Sequence, residues 1–108
     1  MVKLVAMFKL PPGTDGDAFD SYFRQKHATQ DAVQMPGLRR YTIGKVVGAP
    51  EGAPAWRWVN ELWFDDVESA HAALNSLVGT AAGDDLMPRV TNFTAVFVED
   101  EEIELPSS

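Results

Sequence analysis

The sequence predicts a single α+β domain in which two helices cover one face of a four-stranded antiparallel sheet. Four short apolar segments, rich in aromatic and β-branched residues, alternate with two segments of helical period in the order β-α-β-β-α-β. The chain has 108 residues, of which 45% are hydrophobic and 23% charged, as in an ordinary globular domain. We expect residues 1–99 to form this domain and residues 100–108 to form an acidic C-terminal tail.

The four predicted strands are separated by residues that break or turn the chain. Pro11, Pro12 and Gly13 end the first strand, and the Gly- and Pro-rich segment 48–54 reads as a loop. Gly44 interrupts the second strand and predicts a bulge or a close backbone approach. The predicted strands are residues 3–10, 38–47, 56–64 and 91–99.

Two helices are predicted from capping residues and apolar spacing. Thr14 is a candidate N-cap for the first helix, which we expect to run to about His27. Either of two aspartates, 65 or 66, caps the second. Its expected buried face consists of Val67, Ala70, Leu74, Leu77 and Val78. Residues 79–89 are predicted to be irregular or a short extra helix.

The strand pattern also predicts a homodimer through the sheet face. This β-α-β-β-α-β order is the split βαβ, ferredoxin-like arrangement, in which two helices leave one sheet face uncovered. The third and fourth predicted strands carry apolar residues on both faces, and an exposed apolar patch of that size is unusual on a monomer. A second copy would cover it. The alternative is that the C-terminal tail folds over this face.

Charge and composition exclude several classes of function. Five of the sixteen acidic residues lie in the last ten positions, and no basic stripe suited to nucleic acid is present. No segment approaches the length of a membrane span. Lys3 and Lys9 interrupt the apolar N-terminal run, which therefore does not resemble a signal peptide, and the chain has no cysteine. We expect a cytoplasmic protein.

His27 and Tyr41 are the candidate catalytic residues. His27 ends the apolar stripe of the first helix, where the helix C-terminus favours its protonated form and burial opposes it. Such a histidine suits general acid–base chemistry, although a structural histidine hydrogen-bonded in the core fits the pattern too. Tyr41 opens the second strand and can donate a hydrogen bond to an oxyanion, or it can be a cross-strand aromatic residue.

Three further residues are candidates for ligand binding. Phe23 lies one helical turn before His27 on the same stripe. Trp63 can line a pocket for a flat organic ligand, or pack in the core or the dimer interface. Glu61 can be a buried proton acceptor or an exposed edge carboxylate. Neither metal-ligand spacing nor a nucleotide fingerprint is present, so we expect no metal and no organic cofactor.

Three segments carry a resemblance to a known family. Residues 19–27 (FDSYFRQKH), 35–41 (MPGLRRY) and 61–65 (ELWFD) resemble the EthD family of dimeric α+β barrel proteins, and the resemblance covers residues 2–99. It implies a homodimer whose two sheets close into a barrel, with one pocket per subunit between helices and sheet. One departure concerns the end of the first helix, where family members often have Pro shortly after the histidine and this chain has Ala28 and Thr29.

The resemblance also implies a function. Related barrel proteins include methylmuconolactone isomerases, which have a catalytic histidine at the position of His27, and cofactor-free monooxygenases. We therefore expect a cofactor-independent acid–base enzyme, of oxidoreductase/monooxygenase or isomerase/cyclase type. Its substrate would be a small apolar carbonyl or phenolic compound in a degradation or secondary-metabolism pathway. The alternative is a non-catalytic small-molecule-binding or accessory protein.

Overall fold

A computed structural model describes residues 1–107 and confirms the predicted α+β architecture. The strands are β1 (Val2–Lys9), β2 (Arg40–Lys45), β3 (Trp58–Phe64) and β4 (Thr91–Val98). The helices are α1 (Gly16–Tyr22), α2 (Val67–Leu74) and α3 (Leu77–Leu86). A π-helical segment (Phe23–Asp31) continues α1, and short 3₁₀ turns cover Ala32–Gln34 and Met87–Arg89.

The four strands form one antiparallel sheet in the order β2-β3-β1-β4. Residue pairing fixes which side chains share a face, because successive residues of a strand point to opposite faces. Buried and half-buried residues alternate along β1 and β3, with the buried set on the helix side. This register, with Ala6 opposite Asn60 and Leu62 opposite Tyr41, positions the residues of the site.

The core lies between the sheet and the helices as two clusters of buried side chains. One cluster lies beneath α2 and contains Val2, Leu4, Ala32, Met35, Leu62, Phe64, Ala70 and Ala73. The other lies beneath α1 and contains Phe8, Phe19, Phe23, Trp58 and Leu86. Edge-to-face contacts of Phe8 with Phe19 and Phe23 hold the second cluster together.

A buried ion pair fixes α1 to β3. Asp20 is 3% exposed and accepts two hydrogen bonds from the Arg57 guanidinium, at 3.1 and 2.6 Å, and one from Trp58 Nε1 at 2.9 Å. Lys45 Nζ lies 3.2 Å from the same carboxylate. Burial alone would raise the pKa of Asp20, but these hydrogen bonds outweigh burial and lower the pKa to about 2. The position of α1 on the sheet is therefore set by charge as well as by packing.

The first helix begins and ends differently from the prediction. Asp15, not Thr14, is the N-cap, and its side chain accepts from the Ala18 backbone N–H. The helix does not end near His27 but widens into the π-helical segment. There the Thr29 hydroxyl lies 2.8 and 3.0 Å from two backbone carbonyl oxygens in the preceding turn. The π-helix is rare in proteins, and where it occurs it is frequently at a functional site.

The expected buried face of the second helix is only partly correct. Asp66 caps α2 as predicted, but Ala70 and Ala73 are its buried residues. The helix breaks after Leu74, and Ser76 caps the separate helix α3. Because the break changes the helix direction, Leu77 and Val78, which were expected to be buried, are exposed. Val67, at the start of α2, is exposed as well.

The second face of the sheet is open. Val96 of the edge strand β4 is 47% exposed there. The tail does not cover this face: Asp100 lies 3.0 Å from Lys3 Nζ, but Ile103 and Leu105 are 71% and 81% exposed. No helix in the described part of the chain has the length and apolar character needed to cross a membrane.

Candidate functional site

A cavity of about 360 Å³ separates the helices from the sheet. Its floor comes from all four strands, and its sides come from the π-helical segment and α3. Most lining side chains are apolar, among them Leu4, Phe23, Met35, Leu62, Leu74 and Leu86. Polar side chains also line it: His27, Tyr41 and Asn60, with Thr80 and Asp84 on the α3 side. Such a chamber, apolar with a few polar groups, is typical of small-molecule sites.

His27 lies in the middle of the π-helical segment and faces this cavity. The residue is 8% exposed, and its ring stacks on Phe23 with centroids 5.3 Å apart and planes 14° apart. Its Nδ1 atom is buried and has no hydrogen-bond partner among residues 1–107. Because buried polar atoms are nearly always paired, an unpaired imidazole nitrogen in a cavity wall is a candidate contact for a ligand.

Burial lowers the pKa of His27 below 6.5. Asp31 and Asp85 oppose this shift, while Lys26 reinforces it. Lys26 Nζ lies 2.8 Å from Asp31 and 3.2 Å from Asp85, so the lysine neutralises much of the negative charge beside the ring. The imidazole is therefore neutral at neutral pH and has a lone pair that can accept a proton.

Tyr41 reaches the cavity from β2. It lies opposite Leu62 of β3, on the sheet face that the helices cover. Burial raises the pKa of its phenol to about 12. The hydroxyl therefore keeps its proton at all physiological pH values and can act as a hydrogen-bond donor to a ligand oxygen.

Asn60 is a polar cavity residue that the sequence analysis missed. It is 4% exposed and lies on the buried face of β3 between Trp58 and Leu62. Its side-chain Nδ2 donates to the Ala6 carbonyl oxygen at 3.2 Å, and its Oδ1 has no partner among the described residues. The signal was present in the sequence, since an amide between two large apolar residues of one strand face is unusual in a core.

Trp63 and Glu61 do not line this cavity. Both alternate with Asn60 and Leu62 along β3 and so point to the open face. Glu61 accepts a hydrogen bond from Lys3 Nζ at 2.7 Å. The Trp63 ring lies near the cations of Lys3 and Arg40, 5.3 and 4.6 Å from its centroid. Glu61 and Trp63 therefore lie apart from His27, whereas Phe23 and Tyr41 line its cavity. The role of these four residues in ligand binding or catalysis stays a prediction.

Within residues 1–107, no group of three or more histidine, aspartate or glutamate side chains could hold a metal ion. The polar side chains that line the cavity are those of His27, Tyr41 and Asn60, together with Thr80 and Asp84 of α3. Their chemistry is proton transfer and hydrogen bonding.

One similar protein of known crystal structure is an ethyl tert-butyl ether D (EthD) family protein from Bacillus halodurans, whose sequence is 32% identical to this chain. The match covers 94% of this chain and 99% of that one, with a TM-score of 0.83. The chain belongs to the EthD family. The resemblance carried by residues 19–27, 35–41 and 61–65 is thus confirmed by an alignment over nearly the whole length.

Two more distant structures share the fold of this EthD protein. A dimeric ferredoxin-like protein of unknown function from Thermobifida fusca is 16% identical over 90% of this chain and 88% of its own, with a TM-score of 0.72. SnoaB, a cofactor-independent oxygenase from Streptomyces nogalater, is 19% identical over 98% of this chain and 97% of its own, with a TM-score of 0.65. No protein-family model and no curated protein sequence matches the chain.

Proposed function

We propose that this EthD protein is a cofactor-independent acid–base enzyme that acts on a small apolar carbonyl or phenolic compound. The observation that carries the proposal is the buried, unpaired Nδ1 atom of the neutral His27 in the wall of a mostly apolar cavity. A neutral imidazole held out of water and close to a bound substrate is suited to take a proton from it.

The reaction begins with a proton transfer. His27 takes a proton from a carbon next to a carbonyl group or from a phenolic hydroxyl, and becomes an imidazolium. The electron pair that is released moves onto the substrate oxygen as an enolate or a phenolate. Tyr41, whose phenol stays protonated, donates a hydrogen bond to this oxyanion. The substrate then determines whether isomerisation, cyclisation or reaction with oxygen follows.

Asp31 and Asp85 help the imidazolium to form. Both carboxylates act on the ring electrostatically and favour its protonated state, which offsets part of the opposition from burial. Lys26 bridges the two carboxylates, so their combined charge is moderated and the resting ring stays neutral. A histidine base must be neutral before the reaction and become positively charged when it takes the proton. The two carboxylates stabilise the imidazolium, and the lysine keeps their charge from favouring a protonated ring beforehand.

The active unit in this proposal is a cytoplasmic homodimer formed through the open sheet face. The apolar residues Val5 and Val96 lie opposite each other on adjacent strands of that face, and Val96 is half exposed in the single chain. The dimeric state described for the Thermobifida fusca protein of the same fold is consistent with it. Dimerisation leaves the cavity on the helix side free in each subunit.

A second candidate function is a non-catalytic small-molecule-binding or accessory protein. One observation favours it: among residues 1–107, no carboxylate or carbonyl is hydrogen-bonded to the other ring nitrogen of His27, Nε2, where an orienting partner of a histidine base usually binds. In that case the imidazole serves only as a hydrogen-bond acceptor for the ligand. The two functions differ in what replacement of His27 does.

The test follows proton exchange on a carbon acid. Deuterium incorporation next to the carbonyl of β-tetralone in heavy water, followed by NMR, reports proton abstraction directly. The rate with His27→Gln is expected to fall at least about 100-fold below that of the wild type. His71→Gln is the matched control, since His71 is exposed and packs edge-to-face on Phe97. Equal rates in wild type and His27→Gln, with ligand affinity alone reduced, would establish the binding function instead.

A further inference from the structure

Two buried polar atoms without a hydrogen-bond partner occur among the described side chains, and both belong to residues of the same cavity wall. They are Nδ1 of His27 and Oδ1 of Asn60. The residues themselves are 8% and 4% exposed, so water reaches neither atom freely. Native proteins rarely leave such atoms unpaired, and a bound ligand is one of the usual reasons when they do. Whether these two atoms donate or accept hydrogen bonds therefore indicates which polar groups the ligand carries.

The free atom of Asn60 is a hydrogen-bond acceptor. Its amide contacts the backbone carbonyl oxygen of Ala6 at 3.2 Å, and a carbonyl oxygen can only accept. The NH₂ group must therefore face Ala6, and the side-chain oxygen is the atom left unpaired. The β1–β3 register, which places Ala6 opposite Asn60, holds the amide in this orientation.

The free atom of His27 is a second acceptor if the proposed function is correct. A base requires a lone pair at the nitrogen that meets the substrate, which puts the single proton of the neutral ring on Nε2 and leaves Nδ1 bare. In this respect the present inference rests on the proposed function. Two acceptors in one chamber require a ligand with two hydrogen-bond donors.

The other residues that line the cavity indicate which carbon skeleton of the ligand carries these donors. The cavity measures about 360 Å³ and is lined by apolar and aromatic residues such as Phe23, Met35 and Phe93. A flat ring system fits this lining better than a flexible polar chain. A phenolic hydroxyl, with a pKa of about 10, is also far more acidic than an alcohol and so better matched to a neutral imidazole base.

We infer that the ligand of this cavity is a dihydroxylated aromatic compound of one or two rings, with one hydroxyl donating to Asn60 Oδ1 and the other to His27 Nδ1. Asn60 is then the specificity-determining residue: it selects the second hydroxyl, while His27 meets the hydroxyl that loses its proton. Tyr41 adds a donor that reaches an oxygen of the ligand from the β2 side.

The test compares ligands that differ only in their hydroxyl groups. Isothermal titration calorimetry on the full-length protein gives the affinities of a set of isomeric naphthalenediols, the two naphthols and the dimethoxynaphthalenes. At least one diol is expected to bind about tenfold more tightly than either naphthol, because a site built to pair two donors penalises a ligand that leaves one acceptor bare. Its dimethoxy ether, which cannot donate, is expected to lose this advantage. Naphthols that bind as tightly as every diol would overturn the inference.

Variants assign the second hydroxyl to Asn60. In Asn60→Leu the preferred diol and its naphthol are expected to bind equally, whereas Asn75→Leu, at an exposed helix end, keeps the tenfold difference. A preference that persists in Asn60→Leu would refute the role of Asn60. If Asn60→Leu does not fold, the wild-type comparison of diols with naphthols decides the inference alone.

The outcomes separate this inference from the proposed function. Exchange on β-tetralone that requires His27, without any preference for diols, refutes the dihydroxylated ligand and leaves the catalytic proposal intact. A preference for diols that depends on Asn60, without exchange that requires His27, refutes the catalytic proposal and retains the ligand class.

Discussion

The imidazole of His27 lies flat on the ring of Phe23, with the centroids 5.3 Å apart and the planes inclined by only 14°. Phe23 is itself 1% exposed and contacts Phe8, Phe19 and Trp58 through its ring. The candidate base is thus held by an aromatic surface that belongs to the core, and not by a hydrogen bond to Nδ1. Weakening the ring contacts of Phe23 should therefore change the position of the imidazole and also lower the stability of the fold.

Phe23→Leu is expected to lower both the free energy of unfolding and the rate of proton abstraction. Loss of the ring contacts should cost about 1–2 kcal/mol, since leucine partly refills the space. Without the Phe23 ring, the imidazole loses its fixed orientation, and this should reduce turnover more than ligand affinity. Urea unfolding and exchange on β-tetralone measure the two effects. Val47→Ala, at a residue 96% exposed, is the control and should change neither. A normal exchange rate in Phe23→Leu would show that stacking does not position the base.

The stability of the protein should fall below about pH 6.5 because of His27. Burial holds the pKa of the folded imidazole below 6.5, so the unfolded chain takes up a proton at a higher pH than the folded chain does. The contribution of the neutral His27 ring to the free energy of unfolding is therefore fully present above about pH 6.5. This contribution is lost as the pH falls below that value. Proton abstraction should decline over the pH range where the folded ring becomes protonated.

Urea midpoints at about pH 7.5 and 5.5 provide the measurement, interpreted through proton linkage. The decrease between the two pH values should be smaller in His27→Gln than in the wild type. His71→Gln, at an exposed position, is the matched histidine control. An identical decrease in the wild type and His27→Gln would contradict a lowered pKa at His27.

Short apolar segments separated by chain breakers made most of the fold predictable from the sequence. Aromatic and β-branched residues locate β1 and β3, and Asp66 marks the start of α2. The π-helical segment was not predictable, because the four-residue spacing of Phe23 and His27 fits an α-helix as well as a π-helix. The break after Leu74 was missed because the apolar spacing continues across Asn75 and Ser76.

The candidate site was partly predictable. His27, Phe23 and Tyr41 were identified, and they line one cavity. Glu61 and Trp63 were candidates for ligand binding on residue type, and alternation along β3 places both on the opposite face. Asn60 was overlooked, although an amide between Trp58 and Leu62 on one strand face was a signal in the sequence. Its unpaired oxygen was not predictable, because it depends on the packing of β1 against β3.

The two glycines of α3, Gly79 and Gly83, should respond to alanine with opposite sign. A Cβ at Gly79 would collide with the backbone carbonyl oxygens of Ala73 and Leu74, the second at 2.8 Å, so Gly79→Ala must push α3 away from α2. Gly83 has nothing within 4 Å of the same position. Gly83→Ala should therefore raise the free energy of unfolding by about 0.5–1 kcal/mol through helix propensity.

Thermal or urea unfolding of the two variants provides a matched comparison. Gly79→Ala should lower stability by about 1–3 kcal/mol, as overpacking against backbone does. Because both glycines line the cavity, ligand affinity in Gly83→Ala also reports how much room the ligand leaves beside α3. Equal stability of Gly79→Ala and the wild type would show that α2 and α3 are not in close contact.

The open sheet face should associate with a second copy, and a charge placed there should prevent it. Val96 lies opposite Val5 on that face and is 47% exposed in the single chain. In a dimer closed over this face, Val96→Glu would bury an unpaired carboxylate, a cost that a modest interface cannot absorb. We expect light scattering at micromolar concentration to give the mass of two chains for the wild type and of one chain for Val96→Glu. Val47→Glu, at a loop position 96% exposed, should remain dimeric. A wild-type mass equal to one chain would rule out the dimer and require the apolar face to be stable in water.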